Sequence, residues 1–351
     1  MPLFDAKAPF DWKWWSEQAE IEIEISISLA QNASNDGGGQ WTSLITGPVE
    51  KQTLTPLAGE GGGEHEGGHA GHEAKLVITG RDYAGQLIDS RMDEGFEGNP
   101  VSNQQIIGKI QQNHPELNIS IQGAGDDGGD AVGDPYNQDQ HRLFLNRSEW
   151  DVLTGIADHE ALDITVQGKN ITLAPPDAAD AGSDFKVYYS PPRISQGTSG
   201  SFSPASANVE SLTLTRDLQV SKGIDSKVQS FHAKTGKSHT SLSKYRGRHS
   251  NKPLAYHHNI PGMTKSQSGK HARNKADQLS KFEKEISFHL PGDPSLTPKF
   301  TVTLSGTGTA FDQPYHVNEI THSFDVRSGY TMHVTARDKD SQGSVGSAES
   351  S

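Results

Sequence analysis

The most chemically suggestive residues in the chain are His65, Glu66 and His69, which spell His-Glu-Gly-Gly-His inside the run Ala58–Ala74. The spacing matches H-E-x-x-H, in which two imidazoles one helical turn apart hold zinc and the carboxylate serves as base. That chemistry requires a helix, and the neighbours oppose one. Gly61, Gly62, Gly63, Gly67, Gly68 and Gly71 crowd the motif, and each glycine inside a helix costs about 1 kcal/mol relative to alanine. No apolar face is available to dock such a helix either. The segment reads as a solvated loop, with His65, His69 and His72 as adventitious metal donors at most. A second group, Asp126, Asp127, Asp130 and Asp134, alternates carboxylates with glycines. Its spacing fits neither an EF-hand nor a nonapeptide calcium repeat, so an exposed acidic loop is preferred. His257-His258 is open to two readings, a ligand pair or two exposed rings. Neither a nucleophile elbow nor a phosphate-binding glycine loop followed by Lys-Ser/Thr is present. No catalytic, cofactor or metal residue is assigned, and the chain is not expected to be an enzyme. The competing class is a hydrolase, either metal-dependent through Glu66 or glycan-cleaving through a carboxylate pair such as Asp126 and Asp130.

Composition sets the elements that could position any such group. At 351 residues the chain exceeds one ordinary core, and two or three domains of roughly 100–150 residues are expected. Only 32% of residues are hydrophobic, while 37 Gly and 18 Pro demand many turns around modest cores, which favours a β-rich protein. With no cysteine, a disulfide framework and a thiolate-ligated zinc are both excluded. No basic segment precedes an apolar run at the start, and nowhere do roughly 18 apolar residues follow one another, so a soluble protein made in a cytoplasm is expected. The net charge of −13 is unevenly spread. Between Lys222 and Lys284, eleven Lys and three Arg meet only Asp225, Asp277 and Glu283. This basic excursion from an acidic body reads as a solvated surface or as a contact with an acidic neighbour. It lacks the interleaved aromatics of a nucleic-acid reader.

Period-two alternation is strongest at the two ends. Ile21–Leu29 sets five aliphatics against Glu22, Glu24, Ser26 and Ser28. Near the other end, Ile320, His322, Phe324 and Val326 are followed by a turn at Arg327-Ser328-Gly329, then by Tyr330, Met332, Val334 and Ala336, a hairpin with one apolar face. Between these walls, Trp12, Trp14 and Trp15 are expected to cover one end of a core, and Lys51–Leu57 with Lys75–Thr79 to form a hairpin. A short helix follows Ser102 and closes at Pro115. A second begins at Ser148, its N-cap, and buries Trp150, Leu153, Ile156 and Ala157. A strand at Leu117–Ile121 and a hairpin from Leu162 to Leu173 complete a small α/β unit. Further strands are expected at Phe185–Tyr189, Val209–Arg216, Gly223–Phe231, Ile286–Leu290 and Phe300–Leu304. Ala233–Pro261 reads as irregular, and Ser266–Lys284 as a helix docking through Ala272, Ala276, Leu279 and Phe282.

The order of these signals carries a resemblance. LVITGRDYAGQLIDSR, the Ser-capped helix, SEWDVLTGIADHEALDITVQGKNITLAPP, SLTLTRDL, GIDSKVQSF and YHVNEITHSFDVRSGYTMHVTARD together resemble the baseplate hub, or late control protein D, family of contractile-tailed bacteriophages. That family is related to the N-terminal hub part of type VI secretion spike proteins. The resemblance spans about Ile21 to Asp338.

It implies a mainly β (α+β) fold: two tail-tube-like antiparallel β-barrels with an inserted small α/β domain. The implied partition is 1–91 for the first barrel, with the Gly/His insert at 58–74. Residues 92–184 plus 232–284 form the α/β insert, 185–231 plus 285–338 the second barrel, and 339–351 a disordered tail. It further implies a homotrimeric ring in the virion baseplate that adapts a six-fold tail tube to a three-fold spike. The spike is expected to be a separate protein, and tail tube and other baseplate proteins are expected partners. DNA would pass through the lumen without specific binding, no membrane being involved. An acidic lining would repel phosphates rather than hold them, and Glu22 and Glu24 are the lumen candidates. A hub of a phage-like contractile injection system is the alternative within the same family.

Overall fold

Strands dominate wherever small apolar and hydroxyl residues alternate, and the molecule is mainly β. The computed structural model describes residues 12–28, 41–56, 74–92, 103–122, 146–160, 162–175, 184–194, 202–232, 236–245, 252–263, 265–298, 300–325 and 327–338. The expectations for the Gly/His insert, the acidic loop, the cap at Ser102 and the C-terminal tail fall on other residues. α1 (Trp12–Glu17) leads into β1 (Glu22–Ile27), β2 (Thr42–Pro56) and β3 (Ala74–Gly80), an antiparallel meander in that order. β2 bends midway, its first half pairing with β1 and its second with β3. At the bend a Cβ on Gly47 would sit 2.1 Å from the Arg81 carbonyl oxygen, and one on Gly80 would sit 2.3 Å from that of Pro48. Only glycine tolerates so close a backbone approach. The Trp14 and Trp15 rings meet edge-on at 4.9 Å, and the Gln52 amide donates to the Trp15 carbonyl, so α1 does lean on the sheet. The apolar face of β1 is less covered than its alternation suggests. Ile25, directly opposite Ile45, is 54% exposed, and a bulge follows it.

The chain then builds the α/β unit from α2 (Ala84–Asp89), β4 (Arg91–Met92), α3 (Asn103–Asn113), β5 (Asn118–Ile121), β6 (Arg147–Ser148), α4 (Glu149–Glu160), β7 (Asp163–Gln167) and β8 (Asn170–Ala174). The predicted cap at Ser148 is present and reciprocal. Its hydroxyl accepts from the Asp151 amide at 3.0 Å, and the Asp151 carboxylate accepts from the Ser148 amide. Leu153, Ile156 and Ala157 are buried against Ile106 and Ile110 of α3, and against Ile171 and Leu173 of β8. Tyr83, Leu87 and Met92 join the same core, so the segment just before residue 92 packs with this unit.

A seven-stranded sheet, curled as a half-barrel where the second barrel is expected, is made by β9 (Asp184–Ser190), β12 (Ser206–Ala207), β13 (Ser211–Arg216), β17 (Lys284–Pro291), β18 (Thr301–Ser305), β19 (Pro314–Asp325) and β20 (Gly329–Asp338). A small ribbon, β10 (Arg193–Ile194) with β11 (Phe202–Ser203), interrupts them. The sheet order is β12-β9-β18-β19-β20-β17-β13. Its two edge strands are therefore neighbours in sequence, separated by residues 208–210. The Asn208 amide donates to the Tyr188 carbonyl on β9, while the Glu210 amide donates to the His289 carbonyl on β17. Two residues reach less than about 7 Å, so the sheet must curl strongly to bring β9 and β17 this close. The Asn208 side chain strengthens that seam, accepting from the Tyr188 amide and donating to the Lys186 carbonyl, both at 2.7 Å. All ladders are antiparallel except β9 against β18, which are parallel. Inside lie Val187, Ile286, Phe288, Val302, Tyr315 and Val334, each fully buried.

The closing hairpin starts at Pro314, earlier than the alternation around Ile320 indicates. A bulge between Val317 and Glu319 switches the inward set from odd to even positions. Met332, Val334 and Ala336 fill the barrel, whereas Phe324 is 74% exposed because the tip overhangs the core. Asp325 braces the turn by accepting from the Arg327 and Ser328 amides, and Gly329 takes a φ of 77° that favours glycine.

Between β13 and β17 the chain runs through a 3-10 turn (Val220–Lys222), β14 (Ile224–His232), β15 (Lys237–Tyr245), β16 (Leu254–Asn259) and α5 (Lys265–Ser280). Ala233–Pro261 is thus not irregular: it supplies two strands that flank β14, one antiparallel and one parallel. Its alternation was concealed because inward positions such as Ser226, Ser230 and Ser243 are serines, buried but not apolar. β14 pairs only within this sheet. The predicted helix ends at Ser280, so Phe282 does not dock on its stripe. Phe282 is instead half exposed under the Arg337 guanidinium, 4.4 Å from its ring centre.

If the core rather than the seam holds the sheet curled, Phe288→Ala should cost about 3–5 kcal/mol. Asn208→Ala, at an exposed site, should cost only about 1 kcal/mol. Urea unfolding of the two variants would measure the contrast.

Candidate functional site

Of the residues proposed for chemistry from sequence, only His257 and His258 are described. His65, Glu66, His69, His72, Asp126, Asp127, Asp130 and Asp134 lie outside the described residues. Successive strand residues point to opposite faces, and β16 accordingly separates His257, which is exposed, from His258, which turns toward α5. The two cannot grip one ion. Burial, and then Lys275, lower the pKa of His258. Among the described residues no group of three or more His, Asp or Glu could hold a metal ion.

What the fold assembles instead are junctions and faces. The basic excursion is the loop of a hairpin, because Arg216 and Lys284 pair where β13 ends and β17 begins. Its root is closed by side chains. The Arg216 guanidinium donates twice to one oxygen of Glu283, and the Tyr245 hydroxyl donates to the other at 2.8 Å. Burial first, then the bond to Glu283, raises the Tyr245 pKa. Glu283 had counted only as one of three acids in a basic run; its role depends on Tyr245, distant in sequence.

The excursion docks through charge. Lys270 of α5 meets Glu160 at 2.8 Å, and Lys275 meets Asp158 at 3.2 Å, both at the end of α4. The acidic neighbour of the basic block is therefore at least partly in the same chain. The α/β unit is also tied to the first wall. Lys169, in the β7–β8 turn, approaches Glu22 at 2.9 Å, and the Tyr83 hydroxyl donates to the same carboxylate. Those two bonds, Tyr83 first, lower the Glu22 pKa. Of the two lumen candidates, Glu22 is held against its own chain, and Glu24 remains exposed. Within the α/β unit, sequence reasoning also missed Glu149. Its buried carboxylate accepts from the Asn113 amide at 2.7 Å and bonds the His114 Nε2 at 2.6 Å, joining the end of α3 to the start of α4.

The wet face of the second barrel is a field of hydroxyls. Thr213 and Thr215 of β13, Ser287 of β17, Thr331 and Thr335 of β20 and Thr321 and Ser323 of β19 alternate with the buried positions. Glu285 and Arg337 neutralise one another there at 3.2 Å. Near the hairpin tip, His322 Nδ1 lies 2.8 Å from the Tyr330 hydroxyl, and burial lowers the His322 pKa. Such a face has little to hold a phosphate chain and many groups that can be wetted.

No family model matches the sequence, and no curated protein matches it. In fold, the chain is similar to solved tail proteins. The tail protein from Neisseria meningitidis MC58 superposes with a TM-score of 0.59 at 12% identity, over 91% of this chain and 88% of its own. The 43 kDa tail protein of prophage MuSo2 from Shewanella oneidensis gives 0.54 at 12% identity, over 90% and 88%. At that identity the likeness is one of fold, and it extends over about nine-tenths of the chain.

Glu283→Ala should destabilise the chain by about 2–4 kcal/mol, since it strands the partly buried Arg216 and the Tyr245 hydroxyl. Tyr245→Phe should cost about 1 kcal/mol; denaturant titration distinguishes the two. A depressed His322 pKa means that, below the ordinary value of 6.5, the unfolded chain takes up a proton that the folded ring resists. Stability should therefore fall from pH 7.5 to pH 5.5, and His322→Gln should make that slope shallower.

Proposed function

We propose that this chain is a structural hub subunit of a contractile phage tail. Three copies form a ring in the baseplate that joins the six-fold tail tube to a three-fold spike, and DNA passes along the lumen without specific binding. The observation that carries this reading is a fold shared with a tail protein over nine-tenths of both chains. The curled sheet supports it, because a hydroxyl-coated wall suits a conduit or a subunit contact rather than a reaction. Partners on this reading are two further copies, the tail tube protein, the spike and other baseplate proteins, and the site of action is the virion. No helix among the described residues is long and apolar enough to cross a membrane.

Light scattering on the purified chain, alone and with tube and spike proteins, tests the ring. The expected species has three times the 37.9 kDa chain mass. A chain that stays monomeric at high concentration with both partners present would overturn the reading. Imaging of the assembled particle should place a three-fold ring between tube and spike.

A further inference from the structure

One pair on the barrel's wet face takes part in none of these junctions. His289 of β17 stands opposite His333 of β20, their ring centres 4.2 Å apart and their planes inclined by 38°. Both side chains point away from the core, since Phe288 and Leu290 on one strand and Met332 and Val334 on the other are buried. Each of the two strands is hydrogen-bonded on both sides within the curled sheet, so the ladder fixes the separation of the two Cα atoms. The residues completing this row are Ser211 and Thr321, hydroxyls rather than carboxylates. Nδ1 of His333 has no hydrogen-bond partner and is shut off from solvent. Stacking does not satisfy such an atom, and leaving it unpaired costs about 1–3 kcal/mol.

We propose that His289 and His333 form a bidentate imidazole site for a borderline divalent transition ion: Cu²⁺, Ni²⁺ or Zn²⁺. Neutral imidazole suits these ions, whereas Mg²⁺ and Ca²⁺ require oxygen donors. With metal–nitrogen distances of about 2.0–2.1 Å, two nitrogens on one ion lie about 3 Å apart. Small rotations of two rings already 4.2 Å apart reach that spacing. His289 is exposed and provides the entry path, and water completes the coordination. A bound ion would cross-link two barrel strands and stabilise the folded chain by mass action. The site belongs to the single chain and does not depend on the ring.

The test uses untagged full-length chain in which His65, His69 and His72 are replaced by alanine, which removes the competing loop donors. Cu²⁺ titration followed by electron paramagnetic resonance should show an ion with two nitrogen ligands, and Ni²⁺ or Zn²⁺ should raise Tm where Mg²⁺ does not. Adding His289→Asn should weaken binding about tenfold or more and abolish the Tm rise, with the metal-free Tm little changed because His289 is exposed. His333→Gln should lose the same site. Equal Cu²⁺ affinity in the His289→Asn chain and its parent, or a parent whose Tm ignores Ni²⁺ and Zn²⁺, would overturn the proposal.

Discussion

The constraint on which the rest depends is the seam at Asn208–Glu210. Two amides two residues apart bind β9 and β17, strands near opposite ends of one sheet, which is possible only if that sheet curls strongly. Once it has curled, the inward residues of its strands share one enclosed volume. The shape of the core follows from this, including the full burial of Tyr315 and Phe288. The seam bonds themselves are exposed and individually weak. They set the register, while the burial of about a dozen apolar side chains supplies the driving force.

A curled sheet also dictates where insertions can go. They must leave and return at neighbouring strand ends, or they would cross the wall. The basic excursion obeys this, leaving after Arg216 and returning at Lys284. Loop-closure entropy rises only slowly with length, so a whole sheet and helix can hang from one hairpin. What such a loop needs is a fixed root, and Arg216, Glu283 and Tyr245 provide it with bonds at once charged and sheltered. The ion pairs of α5 with α4 are more exposed and of the kind worth at most about 1 kcal/mol each. They orient the excursion on the α/β unit more than they hold it there, and rising salt should loosen them before it touches the root.

How much of this was legible in the sequence depended on whether inward positions are apolar. Val334 and Met332, Leu153 and Ile156, and Leu212 and Leu214 announced their elements, and the cap at Ser148 followed from its spacing to Asp151. The β15–β16 region was silent because Ser243 and its neighbours pack as small polar residues beneath α5. The period is there, but hydrophobicity does not report it. Phe324 and Phe282 misled in the opposite sense. Both are apolar and in phase, yet one overhangs the barrel and the other lies under Arg337 beyond the end of its helix. Junction residues such as Glu149, Glu283 and Glu22 were unreadable for a deeper reason. Each is defined by partners from other elements, Glu22 by Tyr83 and Lys169, and a carboxylate on a polar face looks the same whether it meets water or a lysine.

The same distinction bears on what the two walls can do. The seven-stranded sheet curls around its own core and shows hydroxyls outward, so its contacts can be wet and adjustable. Among the described residues the first wall is a three-stranded meander whose Ile25 and Ile45 face each other while both remain substantially exposed. Its opposite face carries Glu22, tied through Lys169 to the α/β unit. A wall anchored on one side and apolar on the other differs physically from a sheet curled around its own core. Two β walls in one chain are therefore not duplicates: one encloses its own core, and the other leans on what packs against it.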